Sequence, residues 1–274
     1  MPISRPSRYV SRTLGVLVAG VALVTACDTS VGFSPSQQRW GFINIAALKN
    51  TAGEYRLAPN ATFFRGSITS IPDARIRTDS CFAVGDYVPP SSSNFSGVTF
   101  LDAGESISAR IGAATTPIPR VTSGGALTYA LGTGTTIPFT PGDSVVITVP
   151  GVAGGFPASE IRGRSAEPFT LIDPITPSTT SIPLKWTAAT DGNSALIVSL
   201  QYTPSGTGAK TQEIRCAYTD DGVDSIPLRQ HQAWSATSNV DRAVVLTRLR
   251  TSIIPVTDGA MEIISTFVVP TPTP

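Results

Sequence analysis

From Trp40 onwards the chain consists of short apolar segments, each ended by residues that favour turns. Where a segment is long enough to show a period, apolar and polar residues alternate, which is typical of a strand with one buried face. No window of useful length repeats apolar residues with the 3.6-residue period of a helix. The 24 glycines and 23 prolines interrupt both kinds of element. The pattern therefore predicts an all-β fold made of many short strands.

The alternation places strands along the whole chain. In the first half the predicted strands are Trp40–Leu48, Ala61–Ile68, Ala74–Val84, Gly97–Leu101, Ser106–Ile111, Leu127–Leu131, Ser144–Val149 and Glu160–Arg164. In the second half they are Phe169–Ile172, Pro183–Thr187, Ala195–Tyr202, Gln212–Tyr218, Val240–Leu249 and Met261–Val269. The glycine-rich segment 151–157 is predicted to be a loop.

Two strands of the second half indicate which face is buried. The predicted core side carries Leu196, Val198, Leu200 and Tyr202 on one strand and Ile214, Cys216 and Tyr218 on the next. One short helix is predicted at the segment LRQHQAW, with Ser225 as its cap and Pro227 near its first turn.

The strand pattern restarts at Glu167 and Pro168. About seven strands in about 100 residues is the size of an immunoglobulin-like sandwich. The sequence therefore predicts an N-terminal β-sandwich-like domain at 39–167 and a C-terminal immunoglobulin-like β-sandwich at 168–269. A disordered tail is predicted at 270–274, where proline removes amide donors.

The N-terminus has the layout of an export signal. Arg5, Arg8 and Arg12 precede an uncharged apolar run from Leu14 to Val24, and the small residues Thr25 and Ala26 follow. A run of eleven residues is shorter than the roughly 17 that a spanning helix needs. The pattern predicts a signal peptide at 1–26 and a flexible tether at 27–38.

The end of this signal, Leu23-Val24-Thr25-Ala26-Cys27, resembles the lipobox of bacterial lipoproteins. The resemblance implies cleavage before Cys27, a diacylglycerol group on its thiol, and attachment to the membrane through that lipid. The alternative is an ordinary secretory signal with a chance cysteine. The lipobox reading places the protein in the bacterial cell envelope, outside the cytoplasm, and leaves open whether the inner or the outer membrane holds it.

Three further stretches, PGDSVVITVPG, LKWTAATDGN and IRCAYTDDG, resemble secreted, uncharacterised bacterial lipoproteins with immunoglobulin-like β-sandwich domains. That resemblance implies a fold class and no activity.

The chain has three cysteines. With Cys27 lipidated, Cys81 and Cys216 remain, and export places them in an oxidising compartment where paired cysteines are usually bridged. A disulfide between them is predicted. The alternative is that each is buried separately as a free thiol.

The charge balance excludes several partners. The formal charge of +1 includes the three signal arginines, so the mature chain carries −2, and only three lysines occur. Neither nucleic-acid binding nor a polybasic membrane patch is expected.

The sequence suggests no catalytic residues, no metal site and no cofactor. His231 is the only histidine, and its polar neighbours predict a surface position. Asp220, Asp221 and Asp224 are predicted to be solvated turn residues, with calcium ligation as the alternative. Trp40, Trp186 and Trp234 are able to stack on sugar rings, although the strand pattern favours core packing for Trp186.

The sequence thus predicts a lipid-anchored envelope protein with non-catalytic binding or scaffolding domains. The alternatives are a carbohydrate- or other ligand-binding module and, less favoured, an envelope hydrolase. The partner, an envelope protein or a polysaccharide, stays open.

Overall fold

The computed structural model describes residues 38–66, 79–86, 98–190, 192–205 and 212–270. These residues all belong to one compact unit. The predictions for the signal peptide, Cys27, nearly all of the tether and most of the tail lie outside the described residues. Within them, no helix is long and apolar enough to cross a membrane.

The described chain forms sixteen strands and one helix, which confirms the all-β class. The elements are β1 Arg39–Lys49, β2 Tyr55–Arg65, β3 Ser80–Asp86, β4 Thr99–Phe100, β5 Ser106–Ile111, β6 Ala114–Ser123, β7 Ala126–Ala130, β8 Ile137–Pro138, β9 Ser144–Val149, β10 Ser159–Arg164, β11 Ser181–Lys185, β12 Ser194–Pro204, β13 Gln212–Thr219, β14 Val223–Pro227, α1 Leu228–Ser235, β15 Asn239–Val256 and β16 Gly259–Pro270.

One large sheet contains most of these strands. Its order is β10-β9-β5-β6-β7-β2-β1-β16-β15-β12-β13-β3, with β4 and β8 pairing beside β2. All pairs are antiparallel except β1 with β16. The remaining strands, β11 and β14, form a separate antiparallel ribbon.

The large sheet folds over itself at β6. The first part of β6 pairs with β5 and its second part pairs with β7. Strands β5, β9 and β10 thereby form a separate layer, which we call the first cover, and β10 of this layer packs against β15 and β16. The contact is close, because a Cβ atom at Gly163 of β10 would lie 2.9 Å from Cγ2 of Ile263. The layers enclose an apolar core that includes Ile43, Leu57, Phe63, Ile107, Ile147, Phe156 and Ile161.

A second cover lies over β12, β13 and β15. It consists of the β11–β14 ribbon and α1, which packs against these strands. Its core includes Ile182, Leu184, Trp186, Leu196, Val198, Leu200, Ile226 and Trp234. The predicted inward face of β12 and β13 is confirmed at six residues, which are all buried: Leu196, Val198, Leu200, Ile214, Cys216 and Tyr218. Tyr202, predicted on the same face, is only half-buried.

Most predicted strands are present, and the exceptions have physical reasons. No strand was predicted at Ala114–Ser123; this strand contains two prolines, which its mostly exposed burial pattern tolerates. Phe169–Ile172 forms only an isolated bridge between Leu171 and Trp186. The helix is confirmed, but Ser225 is not its cap: Ser225 lies in β14, and Pro227 occupies the N-cap without a side-chain hydrogen bond.

The predicted boundary at Glu167 and Pro168 falls at the change between the two covers. Strands from both sides of it are paired in the large sheet: β1 with β16, and β3 with β13. The point where the strand pattern restarts in the sequence is therefore also the point where the chain leaves the first cover and begins the second.

These shared pairs lead to an expectation for the fragment 168–269. Expressed alone, it should fail to unfold cooperatively, because β16 loses β1 and β13 loses β3. Thermal unfolding followed by circular dichroism measures this, with the full chain as the control. A fragment that melts in a sharp transition would show that 168–269 is an independent domain.

Candidate arginine pocket

Beside β10, the structure has an open cavity of about 700 Å³. The polar and charged residues that line it are Ser144, Arg162, Arg164, Asn193, Arg250, Thr251 and Ser252. Of the described residues in its lining, none is acidic. The cavity therefore brings together three guanidinium groups, hydroxyl groups and an amide.

Strand geometry explains why the arginines reach this cavity. In β10, Ile161 and Gly163 face the core and are buried, so the alternating Arg162 and Arg164 point outward. Ser144 of β9 pairs with Arg164 and shares its face. We call this wall of the cavity the β10 wall.

The opposite wall comes from β15. Arg250 is 4% exposed and pairs in register with Ser194 of β12 and Ser265 of β16. Its Nη2 donates to Oε1 of Glu167 at 3.1 Å. Glu167 also accepts from the amide and the hydroxyl of Thr190, at 3.1 and 2.5 Å. This set of bonds holds the guanidinium of Arg250 at the buried side of the cavity.

The arrangement suits an anion. Guanidinium presents planar donors that match carboxylate, phosphate or sulfate oxygens. Arg250 has Glu167 as a counter-ion, whereas Arg162 makes no hydrogen bond or ion pair with any described residue. Arg162 on the β10 wall thus carries positive charge that described carboxylates leave unneutralised. We refer to this site as the arginine pocket.

A buried ion pair lies further along β15. Arg248 and Asp220 side chains are each 1% exposed, and the guanidinium donates from Nε at 2.6 Å and from Nη2 at 2.8 Å to the two carboxylate oxygens. Trp186 Nε1 and Ser194 Oγ also donate to Asp220, at 2.7 and 2.8 Å. Burial opposes ionisation of Asp220, but these hydrogen bonds outweigh it and lower its pKa.

Arg248 also fixes the junction between the covers. It donates to the carbonyl oxygens of Glu167, Pro168 and Thr187. Its guanidinium lies 5.0 Å from the ring centroid of Phe169. Because every donor has a partner in a dry site, this pair is structural and leaves no room for a ligand.

The prediction that Asp220 is solvated is therefore wrong, since its carboxylate is buried and paired with the guanidinium of Arg248. Asp221 is exposed, as predicted. In the described ranges, no three histidine, cysteine or acidic side chains are grouped so that they could hold a metal ion.

His231 is also misplaced by the sequence prediction, because it is 0% exposed. Its Nδ1 lies 2.7 Å from Oγ of Ser235. Burial lowers the pKa of the imidazole, which favours its neutral form. The polar neighbours in the sequence face solvent, while His231 and Trp234 form the buried side of α1.

The tryptophans separate into two groups. Trp186 and Trp234 are fully buried, and Trp234 Nε1 donates to the carbonyl of Gln201 at 3.0 Å. Neither ring is available to stack on a sugar. Trp40 is half-buried on the outer face of β1 and stacks on Phe42 with 6.3 Å between ring centroids.

The predicted disulfide between Cys81 and Cys216 is present. The two residues are register partners on β3 and β13, and their Cα atoms are 4.0 Å apart. Cys216 is buried, and the hydroxyl of Tyr218 lies 3.6 Å from Sγ of Cys81. The bridge fastens β3 to the edge of the sheet.

Sequence reasoning missed the arginine pocket. The available signal was the segment Glu160 to Arg164, in which two arginines alternate with a core isoleucine and glycine. Arg250 gave no signal, because its role depends on β15 lying beside β10.

No protein-family model matches the chain, and no curated protein resembles it significantly. Fold and site therefore define only a class: an all-β sandwich-like protein with an arginine-lined cavity.

Proposed function

We propose that this chain is a lipid-anchored protein of the bacterial cell envelope that binds an anionic ligand, without catalysis, in the arginine pocket. The observation that carries the proposal is the convergence of Arg162, Arg164 and Arg250 on one open cavity. The envelope location rests on the lipobox-like ending at Cys27.

Binding without chemistry is favoured by the surroundings of the pocket. Glu167, the described carboxylate that contacts Arg250, accepts bonds from Arg250 and Thr190, so it serves to hold Arg250. His231 is buried against Ser235 in α1, which belongs to the second cover. The less favoured hydrolase alternative would need an acid or a base that reaches the ligand.

The binding proposal predicts a measurable loss in Arg162→Gln. Citrate, a compact trianion, should bind the full-length protein in mild detergent, and the substitution should weaken it about tenfold, because one charge-assisted contact is removed. Isothermal titration calorimetry measures the change. Arg229→Gln, at an exposed position on α1, is the matched control and should bind citrate as the parent does. Equal affinity in all three proteins would contradict the proposal.

The anchor predicts a second result. Mass spectrometry of the protein purified from its host's membranes should show an acylated Cys27 as the first residue. Cys27→Ser should release the protein from the membrane fraction, since a single residue carries the lipid. A Cys27→Ser protein that stays as firmly membrane-bound would refute lipid anchoring.

A carbohydrate-binding function through aromatic stacking keeps one supporting observation, the half-buried ring of Trp40. Loss of sugar binding in Trp40→Ala with unchanged citrate binding would support that second candidate.

A further inference from the structure

We propose that the arginine pocket is one end of a longer binding surface for a linear acidic polysaccharide, and that this surface continues over the first cover to Arg110. The inference rests on the proposed anion-binding function and specifies its ligand class. We call the surface formed by the outward sides of β5, β9 and β10 the arginine face.

The strand register places the arginines on one side of the sheet. Val146 of β9 pairs with Arg162 of β10 on one side and with Arg110 of β5 on the other. Directly paired residues share a face, so both arginines point away from the core. Their positions flank Val146, which is 2% exposed although it also points outward. Arginine stems lying across a small apolar side chain would cover it in this way.

The strand positions of the arginines are spread over a wider area than one small anion covers. Arg162 and Arg164 are two residues apart on one strand, about 7 Å, while Arg110 lies two strands from Arg162, about 10 Å. A ligand that engages Arg250, Arg164, Arg162 and Arg110 therefore carries several charges along an extended chain. A compact anion is able to fill only the pocket.

The charges of Arg110 and Arg162 on the arginine face are available. Arg110 and Arg162 make no hydrogen bond or ion pair with described residues, whereas Arg56 and Arg120 elsewhere are paired with Glu54 and Asp102. Among the described outward residues of β5, β9 and β10, the one acid is Glu160, which accepts a hydrogen bond from the hydroxyl of Thr148 at 3.5 Å. Arg110 and Arg162 against one glutamate leave this face positive.

The other side chains of the face favour a saccharide over a nucleic acid. Ser144 pairs with Arg164 and Thr115 of β6 pairs with Arg110, while Ser108 and Thr148 lie in the next row of the register, beside Glu160. Hydroxyl groups of this kind bond to sugar hydroxyls. No aromatic residue stands among the described outward positions of β5, β9 and β10, although single-stranded nucleic acid usually requires aromatic rings for stacking.

The test compares a polymer with a compact anion on the full-length protein in mild detergent. Polygalacturonate, a carboxylated polysaccharide, is the polymer probe and citrate is the compact probe. We expect Arg162→Ser to weaken both, and Arg110→Ser to weaken polygalacturonate about five- to tenfold while affecting citrate less than twofold. Affinity for polygalacturonate should also fall as salt rises, because exposed charges are screened. Arg229→Ser is the matched control and should change neither probe.

The outcomes separate this inference from the binding proposal. Two results would refute the extended surface while leaving the pocket proposal intact, provided that citrate binding depends on Arg162. One is that polygalacturonate binds no more tightly than citrate, and the other is that its binding does not depend on Arg110. If neither probe depends on Arg162, both proposals fail. Oligothymidylate and polyphosphate serve as competing polyanions. Tighter Arg110-dependent binding of either one would overturn the assignment to an acidic polysaccharide. Circular dichroism confirms that each variant is folded.

Discussion

Replacing Arg248 with methionine should lower the free energy of unfolding by about 3–5 kcal/mol. The reason is that Asp220 would keep its buried position without the guanidinium that donates to both of its oxygens. The carbonyl oxygens of Pro168 and Thr187 would also lose a donor. Urea unfolding followed by fluorescence measures the change.

Two controls separate the charge from the loss of packing. Arg248→Met combined with Asp220→Asn removes both charges and should recover at least half of the loss, because no buried ion then remains. Arg56→Met breaks the exposed pair with Glu54 and should cost less than about 1 kcal/mol. A double variant no more stable than Arg248→Met alone would contradict the ion-pair explanation.

The ion pair between Arg248 and Asp220 also limits the stability of the protein in acid. Because the pKa of Asp220 is lowered in the folded protein, its stabilising contribution is present above the carboxyl's ordinary range, near pH 3.9. That contribution is lost as the pH falls through the lowered folded value. The parent should therefore lose more stability than the double variant as the pH falls below about 4.

Reduction of the Cys81–Cys216 bridge should destabilise the protein by about 4–5 kcal/mol, since it opens a covalent loop with a separation of 135 residues. The effect acts mostly on the unfolded chain, whose freedom the bridge restricts. Unfolding in urea with and without a phosphine reductant measures it.

The control is Cys81→Ala with Cys216→Ala, which should resemble the reduced parent and should not respond to the reductant. In a Cys27→Ser background, the denatured and unreduced protein should give no reaction with a thiol reagent. Two reactive thiols per chain would contradict the bridge. Equal stability of the reduced and the oxidised protein would contradict its expected contribution to the free energy of unfolding.

Local pattern was sufficient for most strands because each buries one side. The alternation Leu196, Val198, Leu200 survives in β12 as predicted. The pattern failed to predict burial where the surroundings of a residue come from segments that are distant in the sequence. Asp220 resembles a solvated turn residue in the sequence, because its hydrogen-bond donors Arg248, Trp186 and Ser194 come from distant segments. His231 looks exposed because the ribbon and the sheet that bury it come from other parts of the chain.

The arginine pocket illustrates the same limit. Arg162 and Arg164 were recognisable as outward residues of one strand, but Arg250 joins them only because the sheet folds over at β6 and brings β10 beside β15. A sequence pattern with period two contains no information about which strands become neighbours across a sandwich.

The bridge between β3 and β13 also changes what a protease can do to this molecule. Any single cut between residues 81 and 216 leaves two pieces that remain covalently joined, because the disulfide closes the ring that was cut. Strands β5, β9 and β10, with the β10 wall of the pocket, lie inside that ring, while β1 and β16 lie outside it. On the proposed anchor at Cys27, a nicked molecule would stay whole and stay attached, as a two-chain protein on the same lipid.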